Sequence, residues 1–177
     1  MMNLIQKFFT KEKINKGQLR SQFYTYFFSL PEHAWISETN TKAHFEKLFS
    51  HLPVGVLEVM MKKYPITFIT SQVFDKKESI GLTLNSTVVV FPEFQKRLKT
   101  SHPAAVAYLA HELAFVLDEL EGLHTDPLMA EVRADKFVCD IGFSDELEQH
   151  LLLLDETLEK RLRLTYLTVN YFTHNDN

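Results

Sequence analysis

Between Gln18 and Leu30 the apolar residues Leu19, Phe23, Tyr26, Phe27 and Leu30 recur at helical spacing and stop at Pro31. This predicts an amphipathic helix, followed by a polar loop through Asn40. From Thr41 to Leu52 the set Phe45, Leu48, Phe49 and Leu52 keeps the same period, and Pro53 with Gly55 interrupts it. A second helical stretch, Val54 to Tyr64, is ended by Pro65. The period then changes. Ile66-Thr67-Phe68-Ile69-Thr70 is short and β-branched, and Ser86 to Phe91 carries Thr87-Val88-Val89-Val90-Phe91 into Pro92, so both read as strands. Asp75 to Ser79 and Gly81 connect them, and Leu82 to Leu84 is a candidate for a further short strand.

The C-terminal half is predicted to be three helices. Pro103 suits the first turn of the first, with Ser101 or His102 as cap and Gly122 as the stop. The second starts at Pro127, capped by Thr125 or Asp126, and ends at Gly142. The third is capped by Ser144, has Asp145 and Glu146 at its positive end, and continues through Leu147, Leu151, Leu154, Leu158 and Leu162. Leu151 to Leu154 cannot all face one side of a helix, so the run needs a second apolar neighbour, either within the fold or across a dimer surface.

Strands placed among helices, without a repeat or an interdomain linker, give an α+β, mostly helical single domain over 1–177. Its N-terminal helices occupy 1–53, its core 54–142 and its C-terminal helix 143–177. At 177 residues such a domain buries roughly 70% of the unfolded chain's surface. Hydrophobic residues make up 45%, with 15 Phe, so packing alone can hold it. That matters because the single cysteine, Cys139, cannot form an internal disulfide or a cysteine-rich zinc site.

A net charge of -4 provides no field that draws in phosphate backbones, which excludes nucleic acid as the main partner. Met1 to Arg20 mixes Leu4, Ile5, Phe8 and Phe9 with Lys7, Lys11, Lys13, Lys16 and Arg20, without an apolar run long enough for a signal peptide or a membrane span. The expectation is a cytoplasmic protein whose N-terminal stretch packs on the domain, with contact to an anionic membrane surface as the alternative.

The residues that point to chemistry lie on the first two helices of the C-terminal half. His111-Glu112-Leu113-Ala114-Phe115 has the form of a helical metal motif whose second histidine, due four residues after the first and about 6 Å away on the same face, is replaced by Phe115. On the next helix Glu131 and Asp135 are also four apart and share a face.

The order of helices, strands, His-Glu helix and Glu-x-x-x-Asp helix resembles the zincin metallopeptidases, in particular the gluzincins, over about Val54 to Gly142. Ala114, Leu117-Asp118 and Gly122 are similar to residues that follow the metal helix in some bacterial members. The resemblance implies His111 and Glu131 as zinc ligands, Glu112 as the general base on the metal-bound water, and Asp135 as the residue that orients His111. It also implies that Val88, Val89, Val90 and Phe91 form an edge strand across the His-Glu helix, pairing with an extended substrate.

Phe115 breaks this pattern. Catalytic zinc takes three protein ligands and a water, and a phenyl ring offers no lone pair. Asp118 lies about 10 Å along the helix, too far for the same ion, which leaves His124 in the loop as a substitute ligand. Tyr108 reads as a packing residue. His111, Glu131 and Asp135 also admit a metal-free reading, with His111 hydrogen-bonded to Asp135 and Glu131 paired with an arginine nearby in space. Two functions follow. One is a pseudo-metallopeptidase, purified without zinc, that binds a peptide or protein partner without cleaving it. The other is a zinc-dependent metallopeptidase with a rearranged site of His111, Glu131 and possibly His124.

Overall fold

The computed structural model describes residues 16–71, 81–84, 86–123 and 126–172. Helix α1 (Lys16–Ser29) buries Leu19, Phe23 and Phe27, the four-residue spacing of its apolar stripe. The segment expected to be a polar loop is instead a tight 3-10 turn, Pro31–Ser37, because His33 and Ile36 point into the core. His33 Nδ1–H donates to the Phe27 carbonyl at 2.7 Å and Nε2 accepts the Phe68 N–H at 2.9 Å, so one ring joins the end of α1 to the sheet. Helices α2 (Thr39–His51) and α3 (Val54–Lys62) follow as the periodicity requires. Phe27, Phe45, Phe49 and Phe68 form an aromatic core with centroid separations of 4.6 Å for Phe27–Phe49 and 5.0 Å for Phe45–Phe68.

Strands β1 (Thr67–Thr70), β2 (Gly81–Leu84) and β3 (Thr87–Val90) form one sheet in the order β1-β3-β2. β3 runs parallel to β1, with Phe68 opposite Val88, and antiparallel to β2, with Thr83 opposite Val88. The expected edge strand is therefore central. Val88, Val89 and Val90 have their backbone groups shared between two neighbours, and Phe91 lies outside the strand as the residue before α4 (Pro92–Leu98). The misreading has a physical source: a short valine run suits a doubly paired strand better than an exposed edge. The place across the next helix belongs to β2, which packs against α5 (Ala104–Leu120).

Helix α5 is buried on nearly all sides, from Ala104 to Asp118, and contacts α2, the sheet, α4, α6 (Pro127–Asp140) and α7 (Ser144–Leu152). Gly122 ends α5 at φ 67, and Asp126 opens α6 by accepting the Leu128 N–H at 3.0 Å. The single leucine-rich helix expected after Gly142 is two. α7 stops at Leu152, and α8 (Leu158–Leu167) restarts with Thr157 accepting the Lys160 N–H, followed by a wider turn over Thr168–Phe172. The break is held by Lys160, whose ammonium donates to the carbonyls of Leu154 at 2.8 Å and Leu152 at 3.3 Å. It also rotates the leucine pattern: Leu147 and Leu151 are buried, while Leu158 and Leu162 face outward. Among the described residues no helix is long and apolar enough to cross a membrane. Residues 1–15, where the basic aromatic stretch mostly falls, lie outside the described part.

Candidate functional site

Helix α5 presents His111 and Glu112 from its buried middle, 4% and 8% exposed. Helix α6 brings Glu131 and Asp135 against them on one face, as their spacing requires. His111 Nε2 lies 3.3 Å from Glu131 Oε2 and 3.3 Å from Asp135 Oδ1. Both carboxylates thus meet the same ring nitrogen. This differs from the implied arrangement, in which Asp135 would hold the far side of the ring: among the described residues Nδ1 is buried and has no hydrogen-bond partner.

The centre of the site is filled by a residue from α8. Arg163 donates from Nε to Asp135 Oδ2 and from Nη2 to Asp135 Oδ1, each at 2.7 Å, and Nη1 lies 2.7 Å from Glu131 Oε2. Nη2 is also 2.9 Å from His111 Nε2. The fork geometry of a guanidinium suits two carboxylates at once, and charge assistance makes these contacts short. Arg163 was not among the residues that the sequence singled out. Its signal was faint: Lys160, Arg163 and Leu167 are the buried set of α8, spaced three and four apart, but the leucine pattern drew attention to the opposite face.

The electrostatics follow from this crowding. Burial raises the cost of charging Glu131 and Asp135, yet their contacts with His111 and Arg163 outweigh it and hold both carboxyls below their usual range. For His111 burial again opposes the charge, but hydrogen bonding to Asp135 and Glu131 outweighs it and lifts the ring to about 9, against the repulsion of Arg163. The contact to Nη2 is a hydrogen bond only while the ring is neutral, so it competes with the carboxylates for Nε2. Two negative neighbours against one positive neighbour favour the proton, and a charged ring with Arg163 balances the two carboxylates.

His150 of α7, its ring 5.1 Å from that of Tyr108, is driven down to about 3 by burial and then by the positive charges of His111 and Arg163. Tyr108 is more than packing. Burial and a hydrogen bond to Glu112 push its phenol well above its ordinary value, so Glu112 is engaged by the tyrosine one turn before it. Phe115 closes the other side, its ring 5.0 Å from that of His111 and nearly perpendicular to it. Asp118, too far along α5 for this site, accepts from Arg133 Nε at 2.8 Å and joins α5 to α6. His124 lies outside the described residues.

Zinc does not fit this arrangement. The groups that would face it already share a guanidinium, and a metal ion beside Arg163 would meet a fixed positive charge at hydrogen-bond range. Among the described residues no group of three or more His, Cys, Asp or Glu side chains is arranged to hold a metal ion. No family model, no curated protein and no solved structure matches this chain.

Proposed function

We propose that this chain is a zincin-like pseudo-metallopeptidase that binds an extended peptide or protein segment without cleaving it. The observation that carries the reading is the position of Arg163. Hydrolysis in this class needs a metal-bound water between the histidine and the general base, and here the cationic place beside His111, Glu131 and Asp135 belongs to a guanidinium. Glu112 supports the same reading, since its carboxylate is hydrogen-bonded by Tyr108. The cofactor requirement is accordingly none. A cytoplasmic location is part of the proposal, in keeping with the free, buried thiol of Cys139.

The partner surface on this reading is β2, not the valine strand. Among the described residues β2 pairs with β3 alone and packs on the His-Glu helix, so its second edge is suited to strand addition by an extended peptide. The test combines an activity assay with hydrogen exchange. Peptides selected by display should bind, slow exchange of the Gly81 to Leu84 amides and remain intact, with or without added zinc. Cleavage of a bound peptide, or binding that leaves those amides unprotected, would count against the proposal.

A further inference from the structure

We infer that His33 and Trp35 close the outer edge of β1 to strand addition, and that protonating His33 opens this edge to pairing with the same edge of a second copy of this chain. The Thr67 N–H donates to the Ser86 carbonyl at 3.0 Å and the Ser71 N–H to the Val90 carbonyl at 3.1 Å, so Thr67, Ile69 and Ser71 turn their backbone groups toward β3. Those of Phe68 face the other way, onto an edge that pairs with no strand among the described residues. Side chains of the turn Pro31–Ser37 stand in for the missing strand. His33 Nε2 accepts the Phe68 N–H at 2.9 Å, and Trp35 Nε1–H donates to the Phe68 carbonyl at 2.9 Å. Together they make the two-way exchange that one residue of an antiparallel neighbour would make.

The strand's own sequence names the occupant. Pro65 to Ser71 carries no charged residue, and Thr67, Ile69 and Thr70 are β-branched, so nothing along the strand repels an identical strand. Two like edges related by a twofold axis pair antiparallel and offer each other the same donors and acceptors. The contact that yields to acid is the one to His33. Donation from Nδ1–H to the Phe27 carbonyl leaves Nε2 as the acceptor, and a second proton would set a donor against the Phe68 N–H of a residue with no solvent exposure. Burial holds the ring below its ordinary value, against the Phe27 carbonyl and Glu32, the one charged group among the described residues that acts on it. Its other neighbours are apolar: Phe27 of α1, with its ring 3.9 Å away, Phe68 of β1, and from α2, which also packs on the turn, Phe45 against Trp35. The edge is therefore closed at neutral pH and opens in acid.

The test is light scattering of the full chain between about pH 7.5 and about pH 4, across the range in which a lowered histidine charges, with nitrogen NMR reporting the His33 ring. The wild-type mass should double as His33 becomes charged. His33→Gln, whose amide oxygen still accepts the Phe68 N–H but takes no proton, should keep its neutral-pH mass throughout. His33→Leu combined with Trp35→Phe removes both edge contacts and should double the mass already at neutral pH. Ile69→Lys, at an exposed position of the same strand, should abolish association in both cases. If the double variant does not fold, the acid titration of the wild type, His33→Gln and Ile69→Lys decides alone. A charged His33 in a folded protein of unchanged mass, a ring that stays neutral until the whole chain unfolds, association that persists in His33→Gln or Ile69→Lys, or a folded double variant of unchanged mass would each overturn the inference. Peptide binding at β2 involves the opposite edge of the sheet, so the two proposals fail separately.

Discussion

Arg163 grips both oxygens of Asp135 at 2.7 Å across 28 residues of chain, joining the last helix to the middle of the fold. Asp135 is 1% exposed, so its charge has no solvent to fall back on. Arg163→Met should therefore cost about 3–5 kcal/mol, the penalty of a buried charge left without its partner. Arg163→Lys should fall between, since an ammonium cannot span two oxygens in the same way. Adding Asp135→Asn to the methionine variant should recover part of the loss, a non-additivity that urea unfolding of Arg163→Met, Asp135→Asn and the double variant would measure. A loss under about 1 kcal/mol would place the pair among solvent-screened bridges.

The buried histidines give the protein a stability optimum. His33 is lowered chiefly by burial, and His150 is lowered to about 3, so both are neutral when folded and accept a proton near 6.5 when unfolded. Their contribution is present above about 6.5 and is lost as pH falls below it. His111, lifted to about 9, has the opposite sign: its contribution is complete below about 6.5 and disappears as pH rises through 9. Stability should decline on both sides of this middle range. Nitrogen NMR of the imidazoles would assign the limbs, and a His111 that deprotonates below 6.5 would mean that its acceptor bond from Arg163 outweighs the two carboxylates.

Restoring the missing histidine by Phe115→His should leave the protein without zinc or peptidase activity while Arg163 is in place. The ring change supplies a ligand, but it does not move the guanidinium. Zinc analysis of the folded variant is the check, and stoichiometric metal with Arg163 unchanged would show that Phe115 alone had been the obstacle.

Two glycines should respond unequally to alanine. Gly122 has φ 67 with nothing near its added Cβ, so Gly122→Ala should cost only the left-handed backbone penalty of about 1–2 kcal/mol. Gly142, at φ 89, would place the Cβ 3.4 Å from His51 Nδ1, the atom that donates to the Ile141 carbonyl. Its replacement should be the more damaging in thermal melts. Equal losses would mean that the His51 contact yields without cost.

Short-range rules recovered much of the fold. Periodicity marked α1, α2, α3, α5 and α6, and turn chemistry marked the glycine at φ 67 and the Asp126 cap, because each depends on neighbours within a turn or two of chain. The shared face of Glu131 and Asp135 was legible for the same reason, while their meeting with His111 on another helix was an expectation of the resemblance and not of spacing. Sheet order was not legible. Whether a valine run is central or at the edge depends on which strand joins it from elsewhere in the chain, and Gly81–Leu84 took the edge.

The sequence by itself determined which helices would carry the charged residues and that Phe115 would stand where a ligand was due. Only the tertiary structure decided what those charges do. A break of a few residues between α7 and α8 turned Leu158 and Leu162 outward and Arg163 inward, delivering a cation to Asp135 and Glu131 beside His111, where the resemblance had implied His111 and Glu131 as zinc ligands and Asp135 as the residue that orients His111. Spacing along a helix fixes direction around its own axis, whereas the identity of a buried charge's partner is chosen by packing between elements far apart in the chain.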